Sequence, residues 1–347
     1  MTTDFMPAAR LQGPKAIGVT SQTVPAPGAA EVRVRVEVCG VCGTDLHFFT
    51  GRWPQPAFTL GHEFSGVVTA VGEDAAPWRV GDKVCVEPVL SCGRCRACRR
   101  GENNLCSEFR FLSIHLDGGM AEQAIVPVKC LHAIPEGMSA SRAALAEPLA
   151  VAIHACRVGG VKAGDTVVVC GAGSIGLLTA AAAGSAGAAE VIVSGRHPHQ
   201  QEAANSLGAR GVAPDDLEAA VAAATDGEGA DVIIETVGGA GQAVGQALAA
   251  VRPGGTVVLV GGFTRPASVH LWRVVSRESR VLGAYCYNHA HAPTDFERAL
   301  QLLSEEGDDL ERLITHRLPL SEVCEAFGLA LDKSSHAIKV QMLCSDP

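Results

Sequence analysis

Residues 166–176 read TVVVCGAGSIG, an apolar run of strand type that ends directly in three closely spaced glycines. An alanine-rich stretch of helical character follows them. In this setting of strand, turn and helix, Gly171, Gly173 and Gly176 permit a tight turn, close approach of a pyrophosphate and close packing of a helix on a sheet. The helix N-terminus would meet the negative charge of the pyrophosphate. We therefore predict a dinucleotide site at this turn. The predicted contacts also include Ser174 and Ile175.

The same alternation of apolar runs and alanine-rich stretches continues on the C-terminal side of this turn. Strand-type runs occur at residues 166–170, 190–194, 231–235 and 256–260. Short apolar runs separated by helical stretches are typical of a parallel, doubly wound sheet. This half of the chain is therefore predicted to be a nucleotide-binding domain of α/β type.

The first 150 residues have a different pattern. At residues 31–39 valines alternate with Arg33, Arg35 and Glu37, as in a strand with one buried face. Shorter strand-type runs follow at residues 64–71 and 80–86. Glycines and prolines separate these runs without a long helical period, so we predict a β-rich domain.

The C-terminal segment from about residue 287 mixes both patterns. It contains a predicted helix at residues 294–304 and a strand-type run at residues 337–342. We expect this segment to pack back onto the β-rich domain.

Size and charge limit the classes of function. A chain of 347 residues with 47% hydrophobic and 19% charged residues is predicted to form two globular domains. Its formal charge of -9 argues against general binding of nucleic acid or anionic membrane and favours a small-molecule partner. The N-terminal sequence lacks the pattern of a secretory signal and no stretch is long and apolar enough to span a bilayer, so we expect a cytoplasmic protein.

A cysteine-rich stretch, SCGRCRACRRGENNLC, predicts a metal site of structural type. Its potential ligands are Cys92, Cys95, Cys98 and Cys106. Four thiolates on one short loop can close tetrahedrally around zinc and leave no open position for a substrate. An iron–sulfur cluster or a set of free thiols is the alternative, but ferredoxin runs usually end in Cys-Pro and this one does not. The arginines that would offset the charge of the thiolates are Arg94, Arg96, Arg99 and Arg100.

Three further segments carry potential metal ligands. They are CGVCGTDLH at residues 39–47, GHE at residues 61–63 and AEPLAVAIHA at residues 146–155. Each segment alone could be ordinary structure. Their occurrence together, beside a four-cysteine loop and ahead of a nucleotide-binding pattern, indicates a second and catalytic metal site.

In these motifs the sequence resembles the zinc-containing medium-chain dehydrogenase/reductase superfamily, and within it the sorbitol, threonine and polyol dehydrogenases. The resemblance covers nearly the whole chain and rests on CGVCGTDLH, GHEFSGVV, VGDKV, the cysteine-rich loop, EPLAVAIHA and GAGSIG, in the order of the family. It implies a GroES-like, β-rich catalytic domain at residues 1–155 and 287–347. It also implies a Rossmann domain at residues 156–286.

The resemblance implies that the catalytic zinc is held by Cys42, His62 and a glutamate. Either Glu63 or Glu147 could supply the carboxylate, and we expect both to lie in or beside the coordination sphere. Alcohol dehydrogenase, of this superfamily, uses two cysteines and one histidine. One thiolate and one carboxylate still neutralise Zn²⁺.

Thr44 and His47 match the proton relay of the family, which leads from the substrate oxygen to solvent. The alternative for His47 is an ordinary histidine of a surface loop.

The sequence at the end of the second nucleotide-domain strand favours NADP(H). An acidic residue is expected there to hold the ribose of NAD, but the stretch reads VIVSGRHPHQ and places Gly195 at that position. Arg196 can grip a 2′-phosphate, and Ser194 and His197 can add hydrogen bonds. In the alternative, Arg196 stacks on the adenine of NAD(H).

Further cofactor contacts are expected at the carboxyl ends of the later strands, where ligands of such sheets bind. The residues that would form the wall on the nicotinamide side are Thr236, Val237, Gly261 and Gly262.

The sequence thus predicts an enzyme with two zinc ions per chain that interconverts a secondary alcohol and a ketone on a sugar, polyol or cyclitol. Reduction is the expected direction if NADPH is the cofactor. The relatives suggest a homodimer or homotetramer. The alternatives are an NAD-dependent polyol or threonine dehydrogenase, a zinc-free quinone reductase, and a redox sensor without catalysis that binds zinc and NADP.

Overall fold

The computed structural model describes residues 5–345 and divides the chain into two compact units. The first unit comprises the described residues up to Glu147 and from Asn288 onward, and the second unit is Pro148–Tyr287. The predicted boundaries at residues 155 and 287 differ slightly, because one helix, Ala146–Gly159, continues the chain from the first unit into the second. Residues 1–4 and 346–347 of the predicted first domain lie outside the described residues.

Strands dominate the first unit and alternate with helices in the second. Within the described residues the strands are β1 (Phe5–Gly13), β2 (Ala16–Thr23), β3 (Glu31–Gly40), β4 (Glu63–Val71), β5 (Lys83–Val86), β6 (Val89–Leu90), β7 (Arg110–Phe111), β8 (Gln123–Pro127), β9 (Leu131–Ala133), β10 (Thr166–Cys170), β11 (Glu190–Ser194), β12 (Arg210–Val212), β13 (Ala230–Glu235), β14 (Val251–Leu259), β15 (Arg280–Gly283), β16 (Ile314–Pro319) and β17 (Lys339–Leu343).

The α-helices are α1 (Gly43–Phe49), α2 (Ala140–Ala143), α3 (Ala146–Gly159), α4 (Ser174–Ser185), α5 (Pro198–Ser206), α6 (Leu217–Ala224), α7 (Gln242–Ala250), α8 (Leu271–Arg277), α9 (Asp295–Glu311) and α10 (Val323–Leu331). Within residues 5–345, none of the helices combines the length and apolar character that a bilayer crossing requires.

The second unit is built on a six-stranded parallel sheet with the order β12-β11-β10-β13-β14-β15. The valines of β10 are fully buried, as expected for a strand covered on both faces. After β10 the chain adds β11 and then β12 on one side of β10. The next strand, β13, pairs with β10 on its other side. The carboxyl ends of β10 and β13 therefore border the switch point of the sheet, where such folds bind nucleotides.

The first unit contains a seven-stranded sheet with the order β16-β17-β3-β4-β5-β9, in which β8 also pairs with β3. Val32, Val34 and Val36 of β3 are fully buried, whereas the side chains between them are partly exposed. This alternation produces the period of two in the sequence. The C-terminal β17 pairs antiparallel with β3, so the end of the chain completes the sheet of this unit.

Several elements differ in their bounds from the sequence expectation, among them β14, which begins at Val251 and not at residue 256. The strand expected at residues 80–86 begins only at Lys83, because a turn closed by Arg79 N–H donating to Asp82 Oδ2 over 2.8 Å precedes it, and Gly81 in that turn has a φ of 97°. Helix α9 continues beyond the expected residue 304 to Glu311 across a kink at Glu306, whose φ and ψ of -126° and 20° are not helical. It begins with a capping box in which Thr294 and Glu297 satisfy each other's backbone N–H groups.

Candidate zinc and nucleotide sites

Two adjacent strands bring together the predicted ligands of the catalytic zinc. Strands β3 and β4 are antiparallel, and Gly40 at the end of β3 lies opposite Glu63 at the start of β4. Cys42 lies two residues after the end of β3, and His62 directly precedes β4. One potential ligand atom from each of Cys42, His62 and Glu63 lies within 4.8 Å of the others. The fold therefore assembles a thiol, an imidazole and a carboxylate at one point.

The chemistry of this group fits a zinc ion. Burial raises the pKa of the Cys42 thiol well above its ordinary value, and the charges of Glu63 and Asp45 raise it further. A nearby dication would favour the thiolate that these groups oppose. Glu63 Oε1 is buried without a hydrogen-bond partner, as expected of an oxygen that serves a metal.

A buried lysine compensates the charge of Glu63. Lys339 Nζ lies 2.5 Å from Glu63 Oε2 and also donates to the carbonyl of Val41 over 3.2 Å. The two charged side chains are only 2% and 1% exposed. Burial acts to lower the pKa of Lys339, but the charges of Glu63 and Cys42 outweigh it and raise this pKa. Lys339 therefore holds Glu63 Oε2 and leaves Oε1 for a metal.

Two more polar residues that the sequence analysis did not select contact the ligands. Asp45 is fully buried and its Oδ2 accepts the backbone N–H of Cys42 over 3.0 Å. Burial raises the pKa of Asp45, whereas the charge of His62 acts in the opposite direction. Ser113 Oγ lies 3.1 Å from Nδ1 of His62. Asp45 lies inside the CGVCGTDLH motif and could have been found there, but Ser113 lies outside every motif.

Glu147 lies close to this group without joining it. It occupies the first turn of α3, is 4% exposed, and contributes to raising the pKa of Cys42. Among the described residues, the group of converging ligand atoms contains Glu63 and does not contain Glu147.

The two residues of the predicted proton relay lie on α1, directly after Cys42. Thr44 and His47 are three residues apart and so share one face of this helix. The His47 ring packs against Trp53, with ring centroids 4.5 Å apart. Partial burial, and then the charge of Arg52, lower the pKa of His47. The neutral imidazole is therefore favoured near neutral pH.

The four cysteines of the cysteine-rich loop form a second group of converging ligand atoms. The sulfurs of Cys92, Cys95, Cys98 and Cys106 all lie within 4.8 Å of one another. The distances from Cys98 Sγ to Cys92 Sγ and Cys95 Sγ are 3.9 and 3.4 Å. A zinc–sulfur distance of about 2.3 Å in a tetrahedron separates the sulfurs by about 3.8 Å, so this geometry fits zinc. Hydrogen bonds from backbone N–H groups lower the pKa of Cys95 to about 6, and the largest effect is that of the Cys98 N–H. The lowered pKa favours the Cys95 thiolate.

Two arginines of this loop have carboxylate partners. Arg94 forms an ion pair with Glu108 and Arg100 forms one with Glu102. The Arg99 guanidinium donates to the carbonyl of Arg94 over 2.6 Å. These arginines therefore help to fold the loop in addition to contributing positive charge near the thiolates.

A buried carboxylate and the cysteine-rich loop both contact His289 of the C-terminal segment. Glu87 is 2% exposed, and its two oxygens lie 2.8 Å from His132 Nε2 and 2.7 Å from His289 Nε2. Burial acts to raise the pKa of Glu87, but the two histidines lower it overall. The backbone N–H of His289 also donates to Asn103 Oδ1 over 2.9 Å. The return of the chain to the first unit is thus anchored on this loop.

The GAGSIG turn joins β10 to α4 in the second unit. Gly171 has a φ of 107°, a conformation that favours glycine. A side chain at Gly176 would place its Cβ 1.8 Å from the carbonyl oxygen of Gly171, whereas a Cβ at Gly173 would meet nothing within 4 Å. The open space at Gly173 lies at the start of α4, beside Ser174 and Ile175, and a pyrophosphate could approach the backbone there.

The residues predicted to select the cofactor lie together at the end of β11. Ser194 ends this strand, and its hydroxyl accepts the backbone N–H of Gly171 over 3.4 Å. Gly195 is buried, Arg196 is exposed and His197 caps α5. A Cβ at Gly195 would lie 3.0 Å from the Cβ of Ala172, so a larger side chain at this position would require a shift of its neighbours.

The predicted wall residues occupy two loops, after β13 and after β14. The Thr236 hydroxyl donates to the carbonyl of Cys170 over 2.9 Å, across the switch point of the sheet. The buried carboxylate of Glu235 accepts the backbone N–H groups of Val237 and Gly238 over 2.9 and 2.7 Å. Gly261 N–H donates to the backbone carbonyl of Glu235 over 3.1 Å, and the Gly262 carbonyl accepts from the other loop. Glu235 was not selected from the sequence.

Comparisons with known proteins identify the family of this chain. The family model of the alcohol dehydrogenase GroES-like domain matches residues 28–136, and that of the zinc-binding dehydrogenases matches residues 174–305. A sorbitol dehydrogenase of Halalkalibacterium halodurans is 37% identical over 330 residues, which cover 93% of this chain and 94% of the relative.

Two solved structures share the fold over nearly the full length. A zinc-binding dehydrogenase from Sinorhizobium meliloti 1021 bound to NADP has a TM-score of 0.88 and 35% identity, and the match covers 98% of this chain and 99% of that one. An alcohol dehydrogenase from Escherichia coli CFT073 complexed with NADH has a TM-score of 0.89 and 32% identity, with coverage of 98% and 99%. The chain therefore belongs to the zinc-dependent medium-chain dehydrogenase/reductase superfamily, in its sorbitol dehydrogenase-like branch, and it is an oxidoreductase with a GroES-like and a Rossmann domain.

Proposed function

We propose that this enzyme transfers a hydride between NADP(H) and the secondary alcohol or ketone group of a small polar substrate, namely a sugar, a polyol or a cyclitol. The observation that carries the proposal is the convergence of Cys42, His62 and Glu63 in a chain that also contains a nucleotide-binding turn. The likeness to a sorbitol dehydrogenase supports the substrate class. We propose the reductive direction, because cells normally keep the NADP pool reduced.

The proposed third ligand of the catalytic zinc is Glu63, with Glu147 beside the coordination sphere. Zinc held by Cys42, His62 and Glu63 would supply a Lewis acid for the substrate oxygen. We propose that the Thr44 hydroxyl and the His47 imidazole carry a proton between that oxygen and solvent. The lowered pKa of His47 supports this role, because its imidazolium readily gives up a proton in ketone reduction and its neutral imidazole can accept one in alcohol oxidation.

We propose that the four-cysteine loop holds a second zinc ion with a structural role. All four positions of a tetrahedral ion would be filled by sulfur, so no position would remain for a substrate. This zinc would fix the loop in which Asn103 Oδ1 accepts the backbone N–H of His289 from the C-terminal segment.

An activity panel tests the proposed function directly. Purified enzyme with measured zinc content would be assayed for NADPH and NADH oxidation with keto-sugars, keto-cyclitols and simple ketones. The proposal expects turnover of polar ketones with NADPH as the better cofactor. Zinc-loaded protein that turns over no ketone or alcohol would instead support a sensor without catalysis, and protein that reduces quinones without zinc would support a quinone reductase.

The preference for NADP(H) is proposed to depend on Arg196. Replacement of Arg196 by alanine should raise the KM for NADPH about 10- to 100-fold, because a charged hydrogen bond to phosphate contributes about 1.5–3 kcal/mol. The KM for NADH should change little. Initial rates with each cofactor at a saturating ketone concentration measure the effect, and Arg210→Ala, at an exposed arginine of the neighbouring strand, is the matched control. An unchanged ratio of the two KM values in Arg196→Ala would refute the assignment.

We further propose that a second copy of the chain covers an exposed apolar surface of the second unit. Leu271, Trp272 and Val275 of α8 are 68%, 67% and 63% exposed. The next element along the chain, β15, is the last strand of its sheet and pairs only with β14 among the described residues. Its Val281 and Leu282 are 40% and 38% exposed. An edge strand with exposed apolar side chains suits pairing with the same edge of a second copy, which would cover the edge and these side chains.

Replacement of Trp272 by aspartate should weaken this association. The wild-type protein is expected to sediment as a dimer or larger assembly, and Trp272→Asp is expected to shift the distribution toward the monomer because it would bury a charge without a partner. Leu343→Asp is the control, at an apolar residue of the first unit that is 39% exposed. A wild-type protein that remains monomeric at assay concentrations would contradict the proposed interface.

A further inference from the structure

One residue beside the proposed catalytic zinc site has an unusual backbone conformation. Ser113 is fully buried and has a φ of 75°, in the left-handed region that favours glycine. A residue other than glycine in such a conformation costs about 1–3 kcal/mol, and residues of this kind cluster at functional sites. The surrounding contacts must therefore hold Ser113 in place.

The loop that carries Ser113 is fixed against the segment that leads to His62. The backbone N–H of Ser113 donates to the carbonyl of Leu116 over 2.8 Å, which closes the loop. Asp117 Oδ1 accepts the backbone N–H of Thr59 over 2.8 Å, and Thr59 lies three residues before His62. The loop and the ligand segment are thus one connected structure.

The Ser113 side chain faces the His62 ring. Its Oγ lies 3.1 Å from Nδ1 of His62, and His62 is 3% exposed. The ring also packs edge-on against Phe111, with centroids 5.1 Å apart. Since Nδ1 is occupied by this hydrogen bond, Nε2 is the nitrogen available to a metal.

We propose that Ser113 is a positioning residue for the catalytic zinc. Its hydroxyl accepts the N–H of His62 Nδ1 and thereby fixes the tautomer and ring orientation in which the lone pair of Nε2 faces Cys42 and Glu63. This inference rests on the proposed zinc site. Histidine ligands generally need such a partner, and removal of the partner typically costs about 10- to 100-fold in metal affinity or activity.

The charges in this part of the protein explain why a hydroxyl suits this role. The site already contains the carboxylates of Glu63 and Asp45, both almost fully buried, with Lys339 as the buried cation. A further carboxylate beside His62 would add another buried charge without a counterion. A serine accepts the hydrogen bond and adds no charge.

The test compares Ser113→Ala with Ser113→Gly. Both variants lack the hydroxyl, but only glycine adopts a φ of 75° without strain. Zinc affinity is measured by competition with a chelator in full-length protein. The same titration is run on Cys42→Ala, alone and combined with each of the two Ser113 substitutions. The ion that these proteins lack is the one that belongs to this site. The unfolding temperature of the metal-free proteins is measured as a second readout.

The proposal expects both variants to lose affinity for the catalytic zinc about 10-fold or more, and to a similar extent, while the metal-free proteins stay folded. If Ser113→Ala loses zinc and Ser113→Gly does not, the residue acts only through backbone strain and the proposal is wrong. It is also wrong if both variants bind this zinc within about twofold of the wild type. A wild-type protein that binds no zinc at Cys42 would refute the proposed catalytic site itself, a separate and recognisable result.

Discussion

Replacement of Cys42 by alanine is expected to remove one zinc ion per chain and to lower turnover of ketone and alcohol substrates by at least about 10³-fold. Loss of a Lewis acid removes several kcal/mol of transition-state stabilisation, and each 1.4 kcal/mol corresponds to a factor of about ten. His62 and Glu63 alone would hold the ion too weakly to compensate. Metal analysis and initial rates on the same preparation measure both effects.

An exposed cysteine of the same unit provides the matched control for this experiment. Cys324 lies on α10 and is exposed, so Cys324→Ala should retain two zinc ions and wild-type rates. The zinc of the four-cysteine loop should stay in both variants because its ligands are separate. Full zinc content in Cys42→Ala, or a rate within about tenfold of wild type, would show that Cys42 does not hold the catalytic metal.

Replacement of Lys339 by methionine is expected to destabilise the metal-free protein by about 3–5 kcal/mol. The change removes the positive partner of Glu63 and leaves a buried carboxylate without compensation. Zinc should restore part of the lost stability, since its charge would neutralise the same carboxylate. Denaturant unfolding of the first unit, monitored with and without zinc, measures both quantities.

A double variant separates the charge effect from the loss of packing. In Glu63→Gln with Lys339→Met both charges are absent, so the metal-free protein should be more stable than Lys339→Met alone. If the free energy of unfolding of metal-free Lys339→Met lies within about 1 kcal/mol of the wild-type value, the ion pair contributes no more than an exposed salt bridge does.

The elements that could be predicted from the sequence are those determined by local patterns. The alternation at residues 31–39 marks a strand with one buried face, and β3 forms there with Val32, Val34 and Val36 buried. The run at residues 166–170 is followed at once by glycines, and β10 and α4 form on either side of them. In both cases the residues that decide the structure are neighbours in the sequence.

The parts that could not be predicted depend on contacts between distant residues. Lys339 lies 276 positions after Glu63, and only the pairing of β17 with β3 places them together. The lysine in the apolar run AIKVQML was a signal of a buried charge, but it did not reveal the partner. Ser113 gave no signal, because neither its type nor its neighbours indicate a positive φ or a contact with His62.

The choice between Glu63 and Glu147 shows the same limit. Both glutamates lie in motifs of the family, and the sequence does not rank them. In the structure Glu63 belongs to the strand that pairs with β3, and its carboxylate lies within 4.8 Å of the ligand atoms of Cys42 and His62. The pairing of strands, which a linear motif does not contain, therefore favours Glu63 as the proposed ligand.

Anomalous diffraction at the zinc absorption edge, recorded from crystals of the zinc-loaded wild-type enzyme, tests the central claim most directly. Two peaks per chain are predicted, one among the four cysteines and one at about 2.0–2.3 Å from Cys42 Sγ, His62 Nε2 and a carboxylate oxygen of Glu63. A single peak at the four-cysteine loop, with nothing between Cys42 and His62, would contradict the account.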